Sequence, residues 1–202
     1  MNNYICINNQ KINLSEYQVQ QIRGSFDLPG DRLADVPAAG TAKIGDHEMI
    51  VLEHIGGATL LLRKDPLREA QEFGTNNNYN GSYADEICQE FAKEIAEIVG
   101  EDNLLLHDVD LTADDGLKDY GTIQRYASIL TAPQARQYVE ILDQYKLDVP
   151  SWLATAWSTP SHDDESLVKC VWPSGLVNYN LCNYDRAVRP FCILKSNIFV
   201  SK

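Results

Sequence analysis

The chain has 202 residues, with 17 basic against 29 acidic side chains and a formal net charge of -12 at pH 7. Hydrophobic residues make up 44% and charged residues 23%, which is the balance of a soluble globular protein with one sizeable core. So acidic a chain is repelled by phosphate backbones and anionic lipid unless a local basic cluster intervenes. None is visible, which argues against nucleic-acid and membrane-surface partners.

No apolar run approaches the roughly 18 residues of a membrane helix, so no membrane insertion is expected. Met1-Asn2-Asn3-Tyr4 shows no basic stretch followed by an apolar one, so no signal peptide is expected and the protein reads as cytoplasmic when synthesised. Cys6, Cys88, Cys170, Cys182 and Cys192 are odd in number and lack C-x-x-C spacing, which argues against a disulfide framework and a zinc site. Reduced, mostly buried thiols are the expectation, with no intrachain disulfide.

Tyr4 to Ile7 and Lys11 to Leu14 flank Asn8-Asn9-Gln10 and read as a small hairpin. Ser15 and Gln18 have capping-box spacing and open a short helix that stops near Gly24. Residues 1–28 thus form a hairpin-helix appendage, a candidate for attachment or homo-oligomer formation. Residues 29–45, rich in Pro, Gly, Ala and Asp and without periodicity, read as a linker to a main domain over 46–202.

Met49 to Leu52 and Ala58 to Leu62 flank Gly56-Gly57, a hairpin signal. Asn76 to Gly81 reads as a loop. Ser82 then caps the clearest helix, where Ala84, Ile87, Cys88, Phe91, Ile95 and Ile98 recur at helical spacing before Gly100. A strand begins at Leu104 and reaches Val109 or Leu111, followed by an Asp-rich loop over Asp114 to Asp119. Thr131 and Gln134 form a second capping box, opening a helix that carries Ala135, Tyr138, Val139, Ile141, Leu142 and Tyr145. Beyond Pro150 the strand candidates are Leu167 to Trp172, Leu176 to Asn178 and Val188 to Leu194, with Pro173-Ser174-Gly175 as a turn. Two helices among several short hairpins make an α+β fold, without the alternation of a parallel βαβ sheet.

The segment from His107 to Asp115 is acidic enough to raise a calcium site. Counting from Asp108, however, the sixth position is Ala113 and the twelfth is Asp119, where a calcium loop needs Gly and Glu. His162-Asp163-Asp164-Glu165 offers an imidazole beside carboxylates, and Cys170 is a conceivable nucleophile for it; sequence adjacency supplies neither geometry. No P-loop, GxGxxG, HExxH or G-x-S-x-G pattern occurs, so no enzyme, no metal and no cofactor is expected. Trp152 reads as a core anchor, while Trp157 and Trp172 remain open between core lids and binding-surface aromatics. The stretch Asn178 to Arg186 is built of Asn, Tyr, Cys, Leu, Asp and Arg between two core-like segments, and Tyr and Asn are types that binding loops favour.

Hairpin, loop, helix, strand and second helix lead into Trp152-Leu153-Ala154-Thr155, then Ser174-Gly175-Leu176-Val177-Asn178, then Ala187-Val188-Arg189-Pro190-Phe191-Cys192-Ile193-Leu194. From about Gly45 to Ser201 this resembles a family found in gut bacteria and their prophages, with a C-type-lectin-like fold related to the formylglycine-generating-enzyme scaffold. The resemblance implies a C-type-lectin-like domain and a variable protein of a diversity-generating retroelement. In such systems a reverse transcriptase copies a template while randomising adenines, and the copy overwrites the end of the target gene. The products run through Asn, Tyr, Asp, Ser, Cys, Leu, His and Arg and exclude Trp, Lys, Glu, Gln and Met. Asn178 to Arg186 contains only permitted types. The cysteine pair or metal of the scaffold's enzymes, and the Glu-Pro-Asn or Trp-Asn-Asp calcium motifs of sugar-binding lectins, have no counterpart here.

The resemblance implies a hypervariable surface that recognises a protein or other macromolecular ligand. Tyr179, Leu181, Tyr184 and Asp185 supply contact area and charge, and Asn178, Asn180 and Asn183 supply adaptable hydrogen bonds. Ser161, His162, Asp163 and Asp164 form the facing loop, and Trp157 and Trp172 count among the surface candidates. Arg189 is expected to be a structural ion-pair residue. A virion-associated or displayed location fits this reading. The rival reading is a structural or assembly component of a phage or prophage tail with a fixed protein partner.

Overall fold

The computed structural model describes residues 3–7, 10–15, 19 and 30–200, divided into two units, Met1–Gly30 and Asp31–Lys202. In the first unit β1 (Asn3–Ile7) pairs antiparallel with β2 (Gln10–Leu14), Asn3 opposite Leu14 and Ile7 opposite Gln10. The helix expected from Ser15 to Gly24 lies, apart from Ser15 and Val19, outside the described residues.

The second unit begins inside the expected linker. There β3 (Asp31–Arg32) pairs with Phe199–Val200 at the far end of the chain, and β4 (Thr41–Ile44) pairs with β5 (His47–Ile55). Leu33, Val36, Ala42 and Ile44 are buried. Residues 31–44 are therefore part of the core rather than a linker. Their few apolar side chains are spaced irregularly because short strands and a 3₁₀ turn, Leu33–Asp35, alternate there.

The tight turn from β5 to β6 (Ala58–Arg63) is made by Gly56 and Gly57, both at positive φ (58° and 86°), a conformation that suits glycine and the twist of a two-residue hairpin. A short charged strand, β7 (Arg68–Gln71), follows. Helix α1 (Tyr83–Val99) starts where the Ser82 hydroxyl accepts from the Asp85 amide and ends at Gly100, φ 87°. Its buried stripe is Ala84, Ile87, Cys88, Phe91 and Ile95.

The strand expected after Leu104 is two: β8 (Leu104–Leu105) and β9 (His107–Asp110), which belong to different sheets. β9 pairs with β10 (Thr122–Arg125), and β11 (Ala127–Ile129) follows. The second capping box is present, with Thr131 and Gln134 satisfying each other's backbone amides. The helix it opens breaks at Tyr138 (φ -101°, ψ 23°) into α2 (Ala132–Gln137) and α3 (Val139–Gln144). The remaining strands are β12 (Ser151–Ala156), β13 (Leu167–Val171), β14 (Val177–Leu181), β15 (Arg186–Val188), β16 (Pro190–Lys195) and β17 (Phe199–Val200).

A six-stranded sheet has the order β11-β16-β6-β5-β4, with β8 also on β16; a five-stranded sheet has the order β14-β13-β12-β15-β7. The arrangement is mixed α+β, dominated by strands, with three α-helices among the described residues of the second unit. Neighbouring residues of β5 and β6 point to opposite faces. Met49, Val51 and Leu61 enter a core with α1, Phe73, Tyr79 and Trp152, while Ile50, Leu52 and Leu62 enter a second core with Phe191, Leu153 and α2. Both faces of the central sheet are thus covered.

Candidate functional site

Strands β12, β13 and β14 present the residues singled out by the sequence. Lys169 lies opposite Tyr179, Leu167 opposite Leu181 and Val171 opposite Val177, so these six share one face of the hairpin. Val168, Cys170, Asn178 and Asn180 take the other. The Trp157 amide donates to the Leu167 carbonyl at 2.9 Å, which sets the indole beside the first face. Its ring lies 4.7 Å from that of Tyr179, and the Lys169 ammonium sits 4.9 Å from the indole centroid.

Trp157, Tyr179 and Leu181 remain 38%, 42% and 37% exposed, whereas Lys169 beneath them is 4% exposed. Lys169 Nζ reaches Asp114 Oδ2 at 3.1 Å, and Asp114 Oδ1 accepts from Arg136 Nη2 at 2.8 Å. Burial pushes the Asp114 pKa up, but hydrogen bonds from Arg136 and Lys169 outweigh it and hold the carboxyl below its ordinary value. A charged, fixed base therefore orients an exposed aromatic pair.

The loop from Ser158 to Ser166 is fastened from below. Asp115 Oδ2 accepts from Ser158 Oγ at 2.6 Å and lies 3.0 Å from His162 Nδ1. Asp119 Oδ2 accepts from Thr159 Oγ1 at 2.7 Å and from the Ser161 amide at 3.3 Å. The Asp-rich segment thus acts as a row of acceptors for the loop, and the Asp115 and Asp119 carboxyls titrate below their usual range, chiefly because of Ser158 and Ser161.

Asn77 is wholly buried. Its amide donates to the carbonyls of Ser158 (3.1 Å) and Leu167 (3.2 Å), and its Oδ1 accepts from Tyr120 Oη at 2.5 Å. One side chain therefore ties both ends of the loop. Asp164 turns inward, accepting from the amides of Ser166 and Leu167. Asp163 takes a left-handed backbone (φ 56°), which Asp tolerates, and stays exposed with Ser161 and His162.

The expected single surface is two patches. Trp157, Tyr179 and Leu181 adjoin the Ser158–Ser166 loop at one end of the β13–β14 pair. Trp172, 36% exposed, follows Val171 at the other end, four residues of strand or about 13 Å away. There the Arg186 guanidinium lies 5.9 Å from the Trp172 ring and 5.6 Å from that of Tyr184. Asn183, Tyr184 and Asp185 are exposed in the connection to β15, while Asn178 and Asn180 are half-buried. The physical reason is the alternation of β14, which a run of permissive residue types does not reveal. Leu176, 60% exposed in the turn beside Trp172, joins the second patch.

Arg189 also departs from expectation. Its Nε donates to the Arg63 carbonyl at 2.7 Å, and no ion pair among the described residues includes it. Cys170 and His162 are not brought together. The thiol is buried, with burial lifting its pKa to about 11, and the imidazole is held outward by Asp115. Cys88 and Cys192 are likewise buried free thiols, pushed up to about 12 by burial. Among the described residues no three His, Cys, Asp or Glu side chains converge as a metal site, and no helix is long and apolar enough to cross a membrane.

Reasoning from sequence missed Asn77, Lys169, Asp114 and Tyr120. The Asn-rich run Asn76 to Asn80 was the available signal for the first, since a turn needs fewer asparagines than it contains. In comparisons with known proteins, no family model, no curated protein and no solved structure matches this chain.

Proposed function

We propose that this is a ligand-recognition protein, with a C-type-lectin-like scaffold displaying a diversifiable binding surface for a protein or other macromolecular ligand. The observation that carries the reading is the Trp157–Tyr179 pair. Two large aromatic rings are left more than a third exposed, yet are fixed by Lys169, its partners and a fastened loop. Rigid exposed aromatics are the residues that anchor interfaces, because they bury much area at little entropic cost. The neighbouring loop contributes the outward Ser161, His162 and Asp163, and the second patch contributes Trp172, Tyr184 and Asp185.

Around these positions the flanking segments are core: Trp152 and Phe191 are each 1% exposed. Replacement of Tyr179, Leu181, Asn183, Tyr184 and Asp185 then changes the surface while the frame persists. That is the property a variable protein of a diversity-generating retroelement requires. The test is selection from a library randomised at these five positions against unrelated protein targets. Folded, target-specific binders are the expected yield. A library in which most members aggregate or lose cooperative melting contradicts the reading.

A further inference from the structure

A separate cavity of about 40 Å³ lies between the α2–α3 helices and the two sheets, room for roughly three water-sized groups. Its wall is largely aliphatic, with Leu130, Leu142, Leu153, Val171 and Val177. Arg189 forms part of the same wall. That arginine is only 7% exposed, and its Nη2 is buried with no hydrogen-bond partner. A buried guanidinium with neither carboxylate nor full hydrogen bonding is costly, and its pKa is drawn down to about 10 by burial, against weak opposition from Asp65. The one carboxylate on the wall, Asp143, is engaged by Lys146 Nζ at 3.3 Å.

We infer that this cavity binds a short-chain monocarboxylate, its carboxylate on Arg189 and its alkyl chain against the valines and leucines. A planar carboxylate matches the guanidinium fork and supplies the charge that the site lacks. A phosphate or sulfate fits worse, since its extra charge and oxygens face a largely aliphatic wall whose second cation, Lys146, is already engaged by Asp143. The small volume sets the chain at a few carbons. Trp172 of the second patch borders this cavity, but Trp157, Tyr179, Leu181, Tyr184 and Asp185 do not, so its occupancy is tested separately from the reading above.

The test is an NMR titration of the full chain with sodium propionate against sodium chloride at equal ionic strength. It follows the Arg189 Nε–H and the methyls of Val171 and Val177. Saturable shifts at those groups are expected, with affinity falling roughly tenfold or more in Arg189→Gln, as for loss of a charged hydrogen bond. Leu142→Phe, at a partly exposed wall position, keeps the arginine while filling the space, and abolishes the shifts. The inference is overturned by non-saturating shifts, or by equal response to inorganic phosphate. Binding that survives Leu142→Phe overturns it as well. Tighter binding of N-acetylalanine than of propionate assigns the site to a peptide C-terminus instead and also overturns it.

Discussion

Replacing Asn77 with Ala tests how the exposed loop is held. The substitution removes the amide's hydrogen bonds to the Ser158, Asp164 and Leu167 carbonyls and the acceptor of the Tyr120 hydroxyl, all at a site with no exposure. Each lost bond costs about 1 kcal/mol net, and stranding a buried partner raises that toward 1–3 kcal/mol. The carbonyls regain some solvent as the loop loosens, so a total of about 3–4 kcal/mol is expected. That is a large fraction of a domain's 5–15 kcal/mol but leaves it folded. Urea denaturation followed by circular dichroism measures the loss. Hydrogen exchange should show faster opening of the amides of Asp163, Asp164 and Trp157, with α1 less affected. Tyr120→Phe, which removes one bond, should cost about 1 kcal/mol. A loss below about 1 kcal/mol for Asn77→Ala, with loop exchange unchanged, refutes the idea that this side chain fastens the loop.

Trp152→Ala and Phe191→Ala should each destabilise by roughly 3–5 kcal/mol, read from denaturant midpoints, because both side chains are buried in well-packed cores. Arg125→Ala should cost about 3 kcal/mol, since the almost wholly buried Asp85 carboxylate loses bonds from Arg125 Nε (2.8 Å) and Nη2 (2.7 Å) and its counter-charge, keeping only the Gly81 amide and Gln89. His107 is held neutral to about pH 4 by burial, and its Nε2 lies 3.0 Å from Ser128 Oγ. The unfolded chain takes up that proton near pH 6.5, so this contribution is complete above pH 6.5 and is lost as pH falls toward 4, by roughly 2–3 kcal/mol. His107→Gln should flatten the fall in melting temperature over that window. His47, lowered by burial and by Arg63, acts in the same direction and should remain.

The elements legible in the sequence were those whose signal is local. Gly56-Gly57 between apolar runs, Ser82 before a helical stripe and the Thr131–Gln134 box each specify a backbone conformation within a few residues. What was not legible depends on distant partners. β12 is buried at nearly every position and shows no alternation, because both its faces are covered, Trp152 and Ala154 by one core and Leu153 by the other. β7 is charged and three of its four residues are exposed, and only β15 makes it a strand. Residues 31–44 look like a linker until β17 pairs with β3 and β5 pairs with β4. At the candidate site the exposed aromatics were visible as residue types. The division into two patches was not, since it depends on which β14 residue faces which way. The anchoring role of Asn77 was also hidden, because an asparagine that closes a loop from inside looks the same as one that makes a turn.

The most direct test of the account is simultaneous replacement of Tyr179, Leu181, Asn183, Tyr184 and Asp185 by Ser, with the thermal melt of the full chain as readout. All five are exposed, and exposed positions change stability by about 0.5 kcal/mol or less each, with loss of the Tyr179–Trp157 ring contact adding about 1 kcal/mol. The account predicts a single cooperative melt, lowered by no more than several degrees, with Trp152 still buried to quenchers. A non-cooperative melt, or a chain unfolded at room temperature, contradicts a display surface and makes these residues part of the frame.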